Sequence, residues 1–99
     1  MVDVPKTIAG AEVFFFTPID HRQRPTGNCH HFVSGELQGP AFALAICRYD
    51  ESSGYYLFGL DPEGQVVTDS LCDTIAQAMF QAEFEYEGVS KTWMRPAVD

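Results

Sequence analysis

Hydrophobic and polar positions alternate with the two-residue period of a β-strand through much of the first seventy residues. The stretch 12–17 is rich in aromatic residues, which favour a pleated sheet. Strict alternation predicts Phe14 and Phe16 on one face of this strand, with Val13 and Phe15 on the other. Both faces are apolar, so both should be covered. The other predicted strands are residues 29–37, 41–49, 55–60 and 65–68.

The stretch 41–49 separates large side chains from small ones. Phe42, Leu44 and Ile46 alternate with three alanines and Cys47. Because small side chains let a helix approach a sheet closely, we expect the helix to lie over the alanine face. The opposite face then needs another cover, either residues 18–40 or a second copy of the chain.

Short turns are predicted between the later strands, at residues 50–54 and 61–64. Pro62 presets φ for the second position of a turn, and Gly64 can take the left-handed conformation that closes a hairpin. The most polar stretch, residues 19–28, is predicted to be a loop that moves or contacts a partner.

The hydrophobic period becomes helical from residue 74 to residue 87. Asp73 or Ser70 can cap the start of this helix, and Gly88 stands where a glycine commonly ends one. The apolar stripe consists of Ile75, Ala78, Met79, Ala82 and Tyr86.

A second apolar pair, Phe80 and Phe84, lies on another side of the same helix. A helix with two apolar sides has two neighbours: the sheet, and either the C-terminal tail or another subunit. Trp93 and Met94 in the tail are expected to pack against the helix and the sheet edge.

These elements predict one domain, residues 1–99, of the α+β class. The expected architecture is an antiparallel meander of four to five strands with one C-terminal helix packed on one face. Because one helix cannot cover both faces of an apolar sheet, we expect a homodimer.

The formal net charge of -8 belongs to the second half of the chain, where Lys91 and Arg95 are the only basic residues. A phosphate-binding surface needs the opposite sign, so nucleic-acid binding is not expected. An acidic face instead favours solubility or a basic protein partner. The predicted partner-binding residues are Glu83, Glu85, Glu87, Phe80 and Phe84 on the helix, with Arg22 and Arg24 in the polar loop.

Cys29, His31 and His21 form the one group whose residue types suit zinc or nucleophilic chemistry. The spacing lacks a zinc motif, and ordinary loop and edge roles are the favoured interpretation. The alternative function is therefore a small metal- or ligand-binding protein or enzyme centred on Cys29 and His31. No cofactor is expected, because the sequence has no phosphate loop or dinucleotide fingerprint.

No apolar run is long enough for a membrane span, and the first residues do not have the pattern of a signal peptide. The three cysteines are an odd number, which favours free thiols over a disulfide framework. The expected location is the cytoplasm.

The second half of the chain resembles a strand–turn–strand–helix block of small bacterial proteins. The resemblance rests on YYLFGLDPEGQVVTD, on DTIAQAMFQAEFEYEGV and on the closing Trp93. Some of these proteins are similar to immunity proteins that neutralise secreted toxins, and the order of sheet and helix is similar to antitoxins with a partial RNase-H-like fold. The resemblance implies a binding protein without a catalytic motif.

Overall fold

A five-stranded antiparallel sheet with one helix packed against it confirms the predicted α+β architecture. The computed structural model describes residues 4–28, 32–33, 36–37, 40–51 and 54–97, with the backbone alone at 32–33 and 36–37. The elements are β1 (Thr7–Ile8), β2 (Ala11–Pro18), β3 (Arg24–Pro25), β4 (Phe32–Val33), β5 (Glu36–Leu37), β6 (Ala43–Arg48), β7 (Tyr55–Leu60), β8 (Val66–Cys72), α1 (Ile75–Glu85), β9 (Tyr86–Glu87) and the 3-10 helix η1 (Val89–Lys91). The large sheet has the strand order β1-β2-β6-β7-β8, and two small sheets pair β3 with β9 and β4 with β5.

The predicted turn between β7 and β8 is confirmed. The amide of Gly64 donates to the carbonyl of Asp61 at 2.9 Å, and Gly64 has a φ of +81°. The Asp61 carboxylate adds hydrogen bonds from the amides of Glu63 and Gln65. Strand β8 is longer than predicted and continues to Cys72, because its polar residues still pair with β7.

A β-bulge in β2 overturns the strict alternation predicted for this strand. Val13 is paired with Cys47 and Phe15 with Ile46, so Phe14 is an extra residue. The bulge places Val13 and Phe16 together in one core cluster, whereas Phe15 packs on the other side of the sheet. The prediction that Phe14 and Phe16 share a face is therefore wrong.

The helix lies on the opposite face of β6 from the one predicted. Ala78 and Ala82 of the helix pack in one buried cluster with Leu44 and Ile46, the large side chains of β6. The close approach is still made by small residues, but the helix supplies them and the sheet supplies the large ones. Leu44 and Ile46 therefore do not need a second copy of the chain to cover them.

The alanine face is covered by the curl of the sheet itself. Ala43 and Ala45 share a cluster with Ile8 of β1 and Phe58 of β7, and Val66 of β8 packs against it. The small side chains of β6 on the inner face of the curled sheet leave space, and large side chains from the neighbouring strands fill it.

Both ends of α1 differ from the prediction. Neither Asp73 nor Ser70 is the N-cap; the Thr74 hydroxyl accepts a hydrogen bond from the amide of Gln77 at 3.0 Å. The helix ends at Glu85, before Gly88, because the backbone at Tyr86 becomes extended and pairs with Pro25.

The C-terminal tail packs as predicted on the sheet edge. Met94 exchanges two backbone hydrogen bonds with Phe16, at 2.8 and 2.9 Å. The Trp93 ring meets the Phe15 ring edge-to-face at 6.4 Å. The tail therefore contacts β2.

The prediction of one continuous strand over residues 29–37 is wrong for its described part. Phe32–Val33 and Glu36–Leu37 pair with each other in antiparallel register, so they are two arms of a small ribbon. The remaining residues of this stretch lie outside the described residues.

Within the described residues, the longest helix is α1 with 11 residues, well short of the length needed to cross a membrane.

Candidate protein-binding surface

The polar loop after β2 lies against the C-terminal end of α1, so the structure brings together the two segments predicted to bind a partner. Strand β3 in this loop pairs with β9, which directly follows the helix. Arg24 is paired with Glu87, and Pro25 with Tyr86. We call the outer side of this junction the helix–loop surface; it comprises Phe80, Phe84, Glu87, Arg22, Arg24, Thr26 and Asn28.

Side chains of the loop cap the last helical carbonyls. The Thr26 hydroxyl donates to the carbonyl of Phe84 at 2.6 Å, and the Asn28 side-chain amide donates to the same oxygen at 3.0 Å. The amide of Thr26 donates to the carbonyl of Glu85 at 3.0 Å. These bonds satisfy carbonyls that the helix leaves unpaired, so α1 needs no terminal glycine.

The two loop arginines form exposed ion pairs. Arg24 contacts the Glu87 carboxylate at 2.5 Å, and both side chains are largely exposed. Arg22 makes a two-pronged contact with Asp20, with both hydrogen bonds at 3.0 Å. The guanidinium of Arg22 holds the pKa of the Asp20 carboxyl below its usual range, and that carboxylate raises the pKa of Arg22. Arg24 places a positive charge beside Glu87, just after the C-terminal end of the helix, where the helix dipole favours a cation.

Glu83 is bound to the backbone of the chain that follows the helix. Its carboxylate accepts hydrogen bonds from the amides of Gly88 at 2.8 Å and Ser90 at 3.0 Å. These amides lie at the N-terminal end of η1, where backbone N–H groups have no hydrogen-bond partner within the helix. They hold the pKa of the Glu83 carboxyl below its usual range, with a smaller contribution from the charge of Lys91.

Glu85 is buried, and the Gln81 side-chain amide donates to its carboxylate at 2.8 Å. Of the three predicted acidic residues, Glu87 is therefore the exposed one, whereas Glu83 and Glu85 are engaged within the protein. Glu83 and Glu85 point to different sides of the helix, and Glu87 lies beyond it on β9, so the three do not form one acidic patch.

A buried polar network behind the surface was not found by sequence reasoning. The Gln23 side-chain amide donates to the Thr92 hydroxyl at 2.8 Å, and the Thr17 and Thr92 hydroxyls are 2.7 Å apart. The side-chain oxygen Oε1 of Gln23 accepts a hydrogen bond from the backbone amide of Asp20 at 2.8 Å. All three network side chains are buried, so they fix the loop against β2 and the segment after η1. Only the tertiary structure shows that these separate residues meet.

Phe80 and Phe84 form the apolar part of the helix–loop surface. Phe80 is 74% exposed and Phe84 is 44% exposed. They are one helical turn apart on the same side of α1. The tail, which was one of the two alternatives predicted for the second neighbour of the helix, pairs with β2 at Phe16. Two adjacent exposed phenylalanines are costly in water and are typical of a contact surface.

The described part of the chain contains no cluster of metal-ligand side chains. Residues 4–28, 40–51 and 54–97 contain no group of three or more His, Cys, Asp or Glu side chains placed to hold a metal ion. Cys29 and His31 lie outside the described residues, and His21 is exposed. Burial raises the pKa of the Cys47 thiol to about 12, so this thiol is not a nucleophile at neutral pH.

No family model matches this chain, and neither a curated protein nor a solved structure matches it.

Proposed function

We propose that this chain is a non-enzymatic binding module that recognises a basic protein through the helix–loop surface. The observation that carries the proposal is the exposed pair Phe80 and Phe84 on a helix whose C-terminal end is held by the loop that carries the Arg24–Glu87 ion pair. Binding surfaces typically combine an aromatic centre with a polar rim. Here the two phenylalanines are the centre, and the loop side chains are the rim.

The rigidity of the surface supports this role. Thr26 and Asn28 hold the loop on the helix through its last carbonyls, and Gln23 anchors the loop from inside. A preformed surface loses little conformational entropy when it binds.

A basic partner fits better than a second copy of the chain. Each copy has a formal net charge of -8, so two copies repel each other at low ionic strength. The prediction of a homodimer relied on an uncovered face of β6, and the helix covers Leu44 and Ile46 of that face. A homodimer through Phe80 and Phe84 remains the competing arrangement.

The proposed class is that of immunity- or antitoxin-like proteins, which neutralise a partner by covering part of its surface. The proposal draws on the resemblance of residues 54–93 to such proteins and on the acidic second half of the chain. A rigid acidic module suits that task.

The test is affinity capture from a lysate of the source organism, with proteins identified by mass spectrometry. The wild type is compared with Phe80→Ser/Phe84→Ser and with Leu71→Ser, a matched control. Leu71 is 63% exposed and lies on β8, so its replacement also removes exposed apolar surface, but away from the helix–loop surface. We expect one basic protein to be captured by the wild type and the control, and lost with the double variant.

Salt and oligomeric state complete the test. Capture should weaken in 0.5 M NaCl, because salt screens the attraction between an acidic and a basic surface. Capture that is the same for all three proteins would contradict the proposal. Light scattering that shows a wild-type dimer and a monomeric double variant would instead assign the surface to self-association.

A further inference from the structure

A concave feature lies on the opposite side of the sheet from the helix. It is a groove of about 840 Å³ at one end of the curled sheet, between β1 and the turn that joins β7 to β8. The groove is lined by the buried side chains of Phe16, Ala43 and Leu60, together with Ile8. Its volume lies in the range of sites for small organic ligands, and such sites are commonly found at the mouths of curled or closed sheets.

The charges around the groove all have the same sign. Asp61 and Glu63 are the charged side chains among its described lining residues. Lys6 lies between two residues that line the groove, but it lines a separate hollow with Arg95. The basic side chains near β1 therefore line the separate hollow, together with Glu12, and not the groove.

The two carboxylates are placed at the rim. Asp61 and Glu63 belong to the turn after β7, and Asp61 uses one oxygen to accept from the amides of Glu63 and Gln65. Glu63 is exposed. Phe42, which is 55% exposed, lies at the same rim and adds an apolar surface.

We propose that this groove binds a small organic cation with an apolar body, namely an alkyl- or arylalkylammonium ion. The apolar body would cover Phe16, Ala43 and Leu60, and the ammonium group would lie beside the carboxylates of Asp61 and Glu63. An apolar floor with an anionic rim complements that ligand and disfavours a carboxylate or phosphate of the same size. The site is separate from the helix–loop surface, so this proposal can be tested independently of the proposed function.

The experiment compares three probes with the same ten-carbon chain: decyltrimethylammonium, decyl maltoside and decyl sulfate. Each is titrated into the ¹⁵N-labelled protein below its critical micelle concentration, with affinities from calorimetry and sites from amide chemical shifts. We expect the cation to bind once per chain, with shifts in β1 and the 61–65 turn. The affinity for the cation should be at least threefold higher than the affinity for the neutral probe, and the anion should bind most weakly.

Two double variants isolate the charge. Asp61→Asn/Glu63→Gln removes both rim charges and keeps the turn's oxygen acceptor, so cation affinity should fall about tenfold. Glu51→Gln/Asp73→Asn removes two exposed charges at the other end of β7 and β8, and it should leave the affinity for the cation unchanged. Phe42→Ser, at the exposed rim, should weaken all three probes without unfolding the protein.

Trp93 controls for non-specific surfactant binding, because its ring packs on the helix side of the sheet. Its fluorescence should stay constant through the titration. Equal binding of the three probes, shifts centred on Phe80 and Phe84, unchanged affinity in the first double variant, or the lack of saturable binding would each overturn the proposal.

Discussion

Gly88 joins β9 to η1 at a point where a side chain does not fit. Its φ is +100°, and a Cβ at this position would lie 2.8 Å from the carbonyl oxygen of Arg22. The residue therefore needs glycine both for its left-handed backbone and for the close approach of the loop after β2.

We expect Gly88→Ala to lower the free energy of unfolding by about 2–3 kcal/mol. Gly27→Ala is the matched control, because Gly27 has a φ of +77° but no heavy atom within 4 Å of a Cβ built there. The control substitution should lower the free energy of unfolding by about 1 kcal/mol. Urea denaturation measures both, and equal losses would show that the contact with Arg22 is unimportant.

Glu83 makes stability depend on pH. Its folded-state pKa lies below the ordinary value of 4.5, because the amides of Gly88 and Ser90 bind the charged form. The sign follows from this lowered value: the charged carboxylate stabilises the fold above about pH 4.5, and the stabilisation is lost as the pH falls through the folded-state value.

We expect Glu83→Gln to be less stable than the wild type at pH 6, with a difference that shrinks below pH 4.5. The glutamine side chain keeps one oxygen acceptor and turns its NH2 towards the other backbone amide, so the substitution removes the charge and one of the two hydrogen bonds. Chemical denaturation at several pH values between 6 and 3 measures the difference. A gap that stays constant or widens on acidification would contradict this assignment.

At the scale of elements, strands and helix were predictable where local pattern and tertiary contacts agree. Strand β7 and the turn that follows it have the predicted bounds, and the helical stripe faces the sheet. The predictions were wrong at the bulge in β2, at the helix caps and for residues 29–37. Pairing between distant residues decides the end of α1, where Tyr86 pairs with Pro25, and the register of β2 on β6. The N-cap at Thr74 and the pairing of Phe32–Val33 with Glu36–Leu37 are local, but the sequence pattern did not single them out.

The tight packing of α1 on β6 predicts that a larger side chain destabilises the protein at one alanine of the helix and not at another. Ala82 is fully buried in the cluster that contains Leu44 and Ile46, whereas Ala76 is exposed. We expect Ala82→Leu to lower the free energy of unfolding by about 1–3 kcal/mol, because the added atoms have no room.

Ala76→Leu is the matched control and should change the free energy of unfolding by less than about 0.5 kcal/mol. Thermal and urea denaturation of both variants provide the measurement. If both substitutions were tolerated equally, the helix would not lie closely on the face of β6 described above.

At the scale of the whole molecule, two layers of core share one sheet. The helix covers one face, and the curl of the sheet covers the other. Cys47 is fully buried in β6, the middle strand of the five, so its thiol reports on global unfolding.

We expect Cys47 to react with a thiol reagent at pH 8 only at the rate of global unfolding. Cys72 is the matched comparison, because it is buried at the end of the edge strand β8 and should become accessible by local opening. Variants that retain a single cysteine allow each rate to be followed against urea concentration. Labelling of Cys47 that is insensitive to urea would contradict the two-layer core.

The candidate site was partly predictable. Phe80 and Phe84 could be identified as a second apolar side because helical spacing is local information. The pairing of Arg24 with Glu87 could not, because 63 residues separate them in the chain and only folding brings them together. The groove beneath Phe42 also has no sequence signature, since four segments of the chain line it.

The sequence by itself determined the α+β class, the later strands, the turn at Gly64 and the inward stripe of α1, because each depends on side-chain period and local backbone preference. Only the tertiary structure decided which face of β6 the helix covers and where α1 ends. It also decided which acidic residues are internal. Those outcomes depend on the volume left between elements and on hydrogen bonds between distant residues, and neither quantity is encoded in a local pattern.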